Sequence, residues 1–146
     1  MRIAVSGSSG LIGAALVARL RSKGHTVLRL VRVDSTTDSS LNDESIGWDP
    51  ENGLVQEEAL SGVEGVVHLA GENLVSARWT KQKMRRIRDS RTVGTAALSN
   101  AITAMDTPPG VFVSASAVGY YGNRGSELLT EESTLGSGFL ADVCAA

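Results

Sequence analysis

One cysteine, Cys144, stands in 146 residues. The chain therefore forms no internal disulfide and offers no thiolate cluster to a metal, and a thiol buried among apolar side chains is the expectation. Its two histidines, His25 and His68, have no partner ligands at metal-binding spacing, so no metal site is expected. Aromatic residues make up 4% of the chain, too few to build a base-stacking surface for nucleic acid. No apolar run approaches the roughly 18 residues that cross a bilayer, and the first residues run straight into a strand pattern; neither a signal peptide nor a membrane span is expected, and a cytoplasmic location is the expectation. A net charge of −2, with 42% hydrophobic and 21% charged residues, excludes a disordered chain and a general polyanion binder. The one local exception is basic: seven of the 14 lysines and arginines fall between Arg78 and Arg91. Trp79 is the only aromatic residue in that stretch, which therefore reads as a solvated helix face rather than a nucleic-acid surface.

What is present is an alternation of strand and helix patterns within a length that suits one domain. Ile3, Ala4 and Val5 form a β-branched run that ends in a glycine turn, and helical spacing follows at Leu11, Ile12, Leu16, Val17 and Leu20, closed by Gly24. Residues 26–31 read as a second strand, 34–45 as a polar surface loop, and 46–50 as a brief third strand stopped by Pro50. A helix over 56–60 comes next, then a continuous apolar run over 65–70 of the kind found in buried parallel strands. Residues 80–105 are helical by period, Pro108 and Pro109 end that helix, and 111–114 is a further strand. This order predicts an α/β fold, a Rossmann-type doubly wound parallel sheet with ligands at the carboxyl ends of its strands. Residues 138–146 look like a helix cut after two or three turns, so the chain reads as a truncated domain lacking its last strands. The uncovered sheet edge would then favour self-association into a homo-oligomer.

Chemistry concentrates in the first turn. Gly7, Ser8, Ser9, Gly10, Leu11, Ile12 and Gly13 place glycines where a strand bends sharply into a helix and where backbone must approach a pyrophosphate, with the helix amides facing the anion. The turn follows a strand and opens a helix inside a unit of about 30 residues, the context that gives such a glycine triplet its meaning. At the end of the second strand a carboxylate would bind a ribose 2′-hydroxyl and an arginine a 2′-phosphate. Arg32 occupies that end and points to NADP(H) over NAD(H), with Asp34 as the alternative if the strand runs longer. On the long helix, Met84, Ile87, Arg91, Gly94, Leu98, Ile102 and Met105 follow steps of three and four. Arg91 therefore faces the sheet and the ligand, with Glu72 or a ligand phosphate as partner.

The glycine spacing, Leu69-Ala70-Gly71, and the stretch from Ser114 through Ser116 to Tyr120, Tyr121 and Gly122 resemble the extended short-chain dehydrogenase/reductases, the superfamily of nucleotide-sugar epimerases and dehydratases. Trp48-Asp49-Pro50, His68 to Asn73, Arg78-Trp79 and Ser90-Arg91 narrow the resemblance to its epimerase family protein branch of NADP-dependent oxidoreductases, whose members are about twice as long. The resemblance implies that Gly7, Gly10 and Gly13 meet the pyrophosphate, Arg32 the 2′-phosphate and Asp49 the adenine edge. It runs Leu69, Ala70, Gly71 and Glu72 along the adenosine and ribose; Ser114, and Arg91 by its helical phase, are counted with the cofactor-binding residues. Ser116 falls on the superfamily's catalytic serine. The tyrosine and lysine of the usual Tyr-x-x-x-Lys relay are replaced by Phe139 and Val143, so that relay cannot operate from these positions. Tyr120 and Tyr121 are the nearest substitutes, without a lysine to lower a phenol pKa near 10. The implied activity is hydride transfer between nicotinamide and a carbonyl or carbinol carbon of an unidentified small molecule. The alternative is a non-catalytic NADPH-binding redox sensor.

Overall fold

The computed structural model describes residues 1–33, 44–50, 54–55, 60–75 and 78–146. Asp34 as an alternative carboxylate, the loop over 34–43 and a helix over 56–59 lie outside the described residues. The element order is β1 (Arg2–Ser6), α1 (Leu11–Ser22), β2 (Thr26–Arg32), β3 (Ser45–Asp49), β4 (Leu54–Val55), β5 (Gly65–His68), α2 (Lys81–Ala104) and β6 (Val111–Ser114); a 3₁₀ turn (Val118–Tyr121) and α3 (Phe139–Ala145) follow. The chain divides into two compact parts, Met1–Ser114 and Ala115–Ala146, described in turn.

The first part is one sheet in the order β4-β3-β2-β1-β5-β6. Five strands are parallel, but β4 runs antiparallel to β3 through only two pairs, Trp48 with Val55 and Asp49 with Leu54. The expected parallel sheet is present in those five strands, and β4 is an antiparallel addition at its edge for a physical reason: a parallel return needs a crossover of a dozen or more residues, and only a few separate β3 from β4. Ser45, assigned to the loop by sequence, already pairs with Arg29 as the first residue of β3. The strand order reverses about β1, which has β2 on one side and β5 on the other. A crevice opens at such a reversal because the connections leave in opposite directions.

Side chains alternate across the sheet, and both faces are covered. Ile3, Val5 and Val27 pack with Val17 of α1, whereas Ala4, Leu28, Leu30 and Val66 pack with Leu98, Ala101 and Ile102 of α2. Two-sided burial is why Val66 and Val67 stand side by side in β5 instead of alternating with polar residues. Helix α2 begins where Thr80 accepts a hydrogen bond from the Lys83 amide at 3.2 Å, which satisfies one of the free donors of its first turn. In α1 the period is only partly obeyed: Leu11 and Ile12 are 93% and 70% exposed, and the buried face starts at Gly13 and Val17. At this level the helix packs through Gly13 onto the backbone of the preceding turn, which leaves its larger neighbours outside. Among the described residues, no helix is long and apolar enough to cross a membrane.

In the second part Val118–Tyr121 form the 3₁₀ turn, and the rings of Tyr120 and Tyr121 meet edge to face with centroids 5.2 Å apart. The Gly136 amide donates to the Tyr120 carbonyl at 3.0 Å. Helix α3 buries Ala141 and Val143. Cys144 is half-buried with its Sγ 3.9 Å from the Ala117 carbonyl, so the expectation of a buried thiol is corrected; a helix of two turns covers only a narrow stripe.

Candidate functional site

The site is built on the turn between β1 and α1. Gly7 has φ +64°, a left-handed conformation that costs an L side chain energy and glycine none. The Gly10 amide closes the turn on the Gly7 carbonyl at 3.0 Å. A Cβ on Gly7 would lie 2.7 Å from the carbonyl carbon and oxygen of Leu69, and one on Gly13 would overlap the Gly7 carbonyl oxygen. The turn, α1 and the end of β5 thus touch backbone to backbone. Helix α1 starts at Gly10 with no side-chain cap and no acidic residue in its first turn, so its leading amides are left for an anion.

A cleft of about 520 Å³ opens over this turn. One wall is Gly7, Ser8, Ser9 and Gly10; a second is the end of β2 with Arg29 and Arg32; Trp48 and Pro50 form a third, and the segment from Leu69 through Ala70, Gly71 and Glu72 to Asn73 a fourth, with Ser90 behind it. Asp49 ends β3 between the lining residues Trp48 and Pro50. Of the residues singled out by sequence, Leu11 and Ile12 face solvent and Gly13 packs beneath the turn, while Ser114 ends β6 exposed, in register with His68.

The floor rests on Ser6, a residue the sequence reading passed over. Its buried Oγ accepts from the amides of Leu69 (3.1 Å) and Ala70 (3.2 Å) and lies 2.6 Å from Nδ1 of His68. With two donors already on the oxygen, the serine proton goes to Nδ1, so His68 carries its own proton on Nε2. That Nε2 is buried without a hydrogen-bond partner among the described residues, and the ring stands edge-on to Trp48 at 5.7 Å. Burial lowers the His68 pKa to about 4, because the imidazolium would lose its hydration. His68 is a neutral strut joining β5 to β1 and β3.

Helix α2 holds the fourth wall at Glu72. The Glu72 amide donates to Ser90 Oγ at 2.9 Å, its carbonyl accepts from Nη1 of Arg91 at 3.2 Å, and its carboxylate lies 2.6 Å from Nζ of Lys83. Arg86 Nε approaches the same carboxylate at 3.6 Å. The hydrogen bond from Lys83 holds the Glu72 pKa below the ordinary carboxylate value. Arg91 is half-buried, and a Cβ on Gly71 would sit 3.1 Å from its guanidinium carbon. Its Nη1 donates to the carbonyls of Glu72 and Ile87, at 3.2 and 3.1 Å, and lies 3.4 Å from Ser90 Oγ, while the carboxylate that sequence offered to it belongs to Lys83. Lys83 also corrects the reading of the basic stretch as wholly solvated: its side chain is 2% exposed. The sign was available, since Lys83 precedes the core residue Ile87 by one helical turn.

In the second part Ser116 is exposed and Tyr120 and Tyr121 are half-buried. Phe139 and Val143 lie one turn apart on α3, with Val143 buried.

A parallel sheet reversed at β1, with a glycine turn and the free amides of α1 over the reversal, is a Rossmann-type nucleotide-binding domain. Its lineage is equally plain: the model of the NAD dependent epimerase/dehydratase family matches residues 3–141, and the chain belongs to that family. An epimerase family protein of Mycobacterium bovis is 43% identical over 142 residues, which cover 97% of this chain and 45% of the relative. Human epimerase family protein SDR39U1, solved with NADPH, is 29% identical with a TM-score of 0.81, over 99% of this chain and 46% of that one. A short-chain dehydrogenase/reductase superfamily protein from Agrobacterium tumefaciens, solved with NAD, is 30% identical with a TM-score of 0.72, over 99% and 42%. The chain thus spans less than half the length of these relatives.

Proposed function

We propose that this chain binds NADP(H) and forms the cofactor half of an oxidoreductase or epimerase-like protein. Bound there, the nicotinamide would exchange hydride with a carbonyl or carbinol carbon of a small molecule. The observation that carries the reading is the closure of Gly7 and Gly13 to any Cβ by backbone, beside a cleft that Arg32 also lines. Gly7 and Gly10 would let the pyrophosphate approach the α1 amides, and Arg32 would pair with a 2′-phosphate. Asp49 would take the adenine edge, and Leu69 to Glu72 would run along the adenosine and ribose. Ser116 would hydrogen-bond the reacting oxygen, with Tyr120 or Tyr121 as acid/base. NADPH in the human relative supports the phosphorylated cofactor, and NAD in the Agrobacterium protein makes the choice a matter for titration.

NADPH is expected to bind at least tenfold more tightly than NADH, with the preference reduced in Arg32→Ala, because the phosphate–guanidinium pair is charge-assisted. Equal affinities in the unaltered chain would remove Arg32 from the site and NADP(H) from the reading. Phe139 and Val143 favour a second reading, an NADPH-binding redox sensor without turnover. Substrate-dependent oxidation of NADPH separates the two.

A further inference from the structure

Arg29 lies three residues before Arg32 on β2, and both line the cleft. It is half-buried in a strand whose neighbours Val27, Leu28 and Leu30 are core residues, yet its terminal nitrogens are not among the buried unpartnered atoms and so remain open to a ligand. Its Nε donates to Ser8 Oγ at 3.0 Å. Ser8 is a neutral acceptor, itself 7% exposed, in the turn that precedes α1. No ion pair reaches Arg29 among the described residues, and neither terminal nitrogen has a hydrogen-bond partner there. The carboxylate that does line the cleft, Glu72, is engaged by Lys83 and Arg86. A cation is thus held close to the positive end of a helix dipole, where cations are disfavoured. The pyrophosphate of a bound dinucleotide would take the α1 amides, which leaves the 2′-phosphate dianion as the charge for the Arg29 guanidinium.

We infer that Arg29 is a second specificity-determining residue for the cofactor, forming with Arg32 a two-guanidinium clamp on the adenosine 2′-phosphate. The inference rests on the NADP(H) reading. Ser8 occupies Nε and fixes the plane of the guanidinium, which leaves the two terminal nitrogens to meet phosphate oxygens. An arginine fork suits such bidentate contact where a lysine supplies only a point charge. Arg29 and Arg32 leave β2 on opposite faces, so Arg29 would reach the phosphate past Ser8 and Arg32, exposed at the strand end, from the other side.

The test is calorimetric titration of the chain and of Arg29→Gln, Arg29→Lys and Arg32→Ala with NADPH, NADH, 2′,5′-ADP and 5′-AMP. Arg29→Gln should weaken NADPH and 2′,5′-ADP about tenfold or more and leave NADH and 5′-AMP within about twofold, the loss of one charge-assisted contact. Arg29→Lys should recover only part of the loss. Retained NADH binding shows that the glycine turn is still folded. Equal weakening of NADPH and NADH by Arg29→Gln would mean that Arg29 only props the turn, and an unchanged NADPH affinity would place it outside the site; either result overturns the inference. If the unaltered chain prefers NADPH and Arg32→Ala alone removes the preference, the NADP(H) reading stands and the role of Arg29 falls. If the unaltered chain shows no preference, both fall.

Discussion

Lys83 and Glu72 meet at 2.6 Å across the gap between α2 and the segment that follows β5, with the lysine 2% and the glutamate 26% exposed. A cation so placed is held by its partner and not by water. Arg86, 55% exposed at 3.6 Å from the same carboxylate, remains hydrated and contributes little.

The two cations are therefore expected to separate sharply on substitution. Lys83→Met should lower unfolding free energy by about 2 kcal/mol, less than the full cost of breaking a buried pair because Glu72 can rehydrate. Arg86→Met should stay within about 0.5 kcal/mol, the ordinary range for an exposed pair. Urea unfolding of both variants checks this, and similar midpoints would mean that the carboxylate is held equally by both.

Acid should weaken the fold in a window set by His68. Its folded pKa of about 4 lies below the unfolded value near 6.5, so between these limits the unfolded chain binds the extra proton and stability falls as pH falls. The full contribution is present above pH 6.5. About 3 kcal/mol is lost on reaching pH 4, at roughly 1.4 kcal/mol per pH unit. Glu72 adds a separate loss at lower pH, as its depressed pKa is crossed. Unfolding measured from pH 7 to 4 should show this slope, and His68→Asn should flatten it. A slope unchanged in the variant would assign the titration to another group.

Arg91 and Arg85 sit less than two turns apart on α2 and should behave differently. Arg91 braces Gly71 and the Glu72 carbonyl, whereas Arg85 is exposed. Arg91→Ala should weaken NADPH about tenfold by loosening the cleft wall, an effect on the scale of one hydrogen bond to a charged group, and Arg85→Ala should change it less than twofold. Fluorescence titration decides, and equal effects would return Arg91 to the surface.

Much of the fold was legible because its rules are local. The β-branched run before Gly7, the period of α2 with Thr80 at its head, and the two prolines before β6 each set an element where the structure has it. The antiparallel β4 was not legible, since two residues are too few for a periodicity. In the site, the glycine turn and Arg32 could be read because their backbone context is contiguous in sequence. Ser6, Arg29 and Lys83 act through partners 62, 21 and 11 residues away, and nothing near them in sequence names those partners. Helical phase brought Arg91 to the right segment but not to the right atom, because phase fixes a face and leaves open which of two cations takes the carboxylate.

The contact of Gly7 with Leu69 also bears on how this turn can drift among descendants. A side chain that collides with another side chain can be accommodated by trimming its neighbour, so such positions wander in pairs. The atoms that exclude a Cβ at Gly7 are the carbonyl of Leu69 and the amide of Ala70, and at Gly13 the carbonyl of Gly7. Every amino acid carries these groups, so no second-site replacement can clear the space. Gly24, with φ +79° and open space around it, faces only a conformational cost of about 1 kcal/mol, which asparagine largely escapes. In a mutagenised library selected for nucleotide binding, suppressors of Gly24 substitutions should arise freely, whereas Gly7 and Gly13 should be recovered only by reversion.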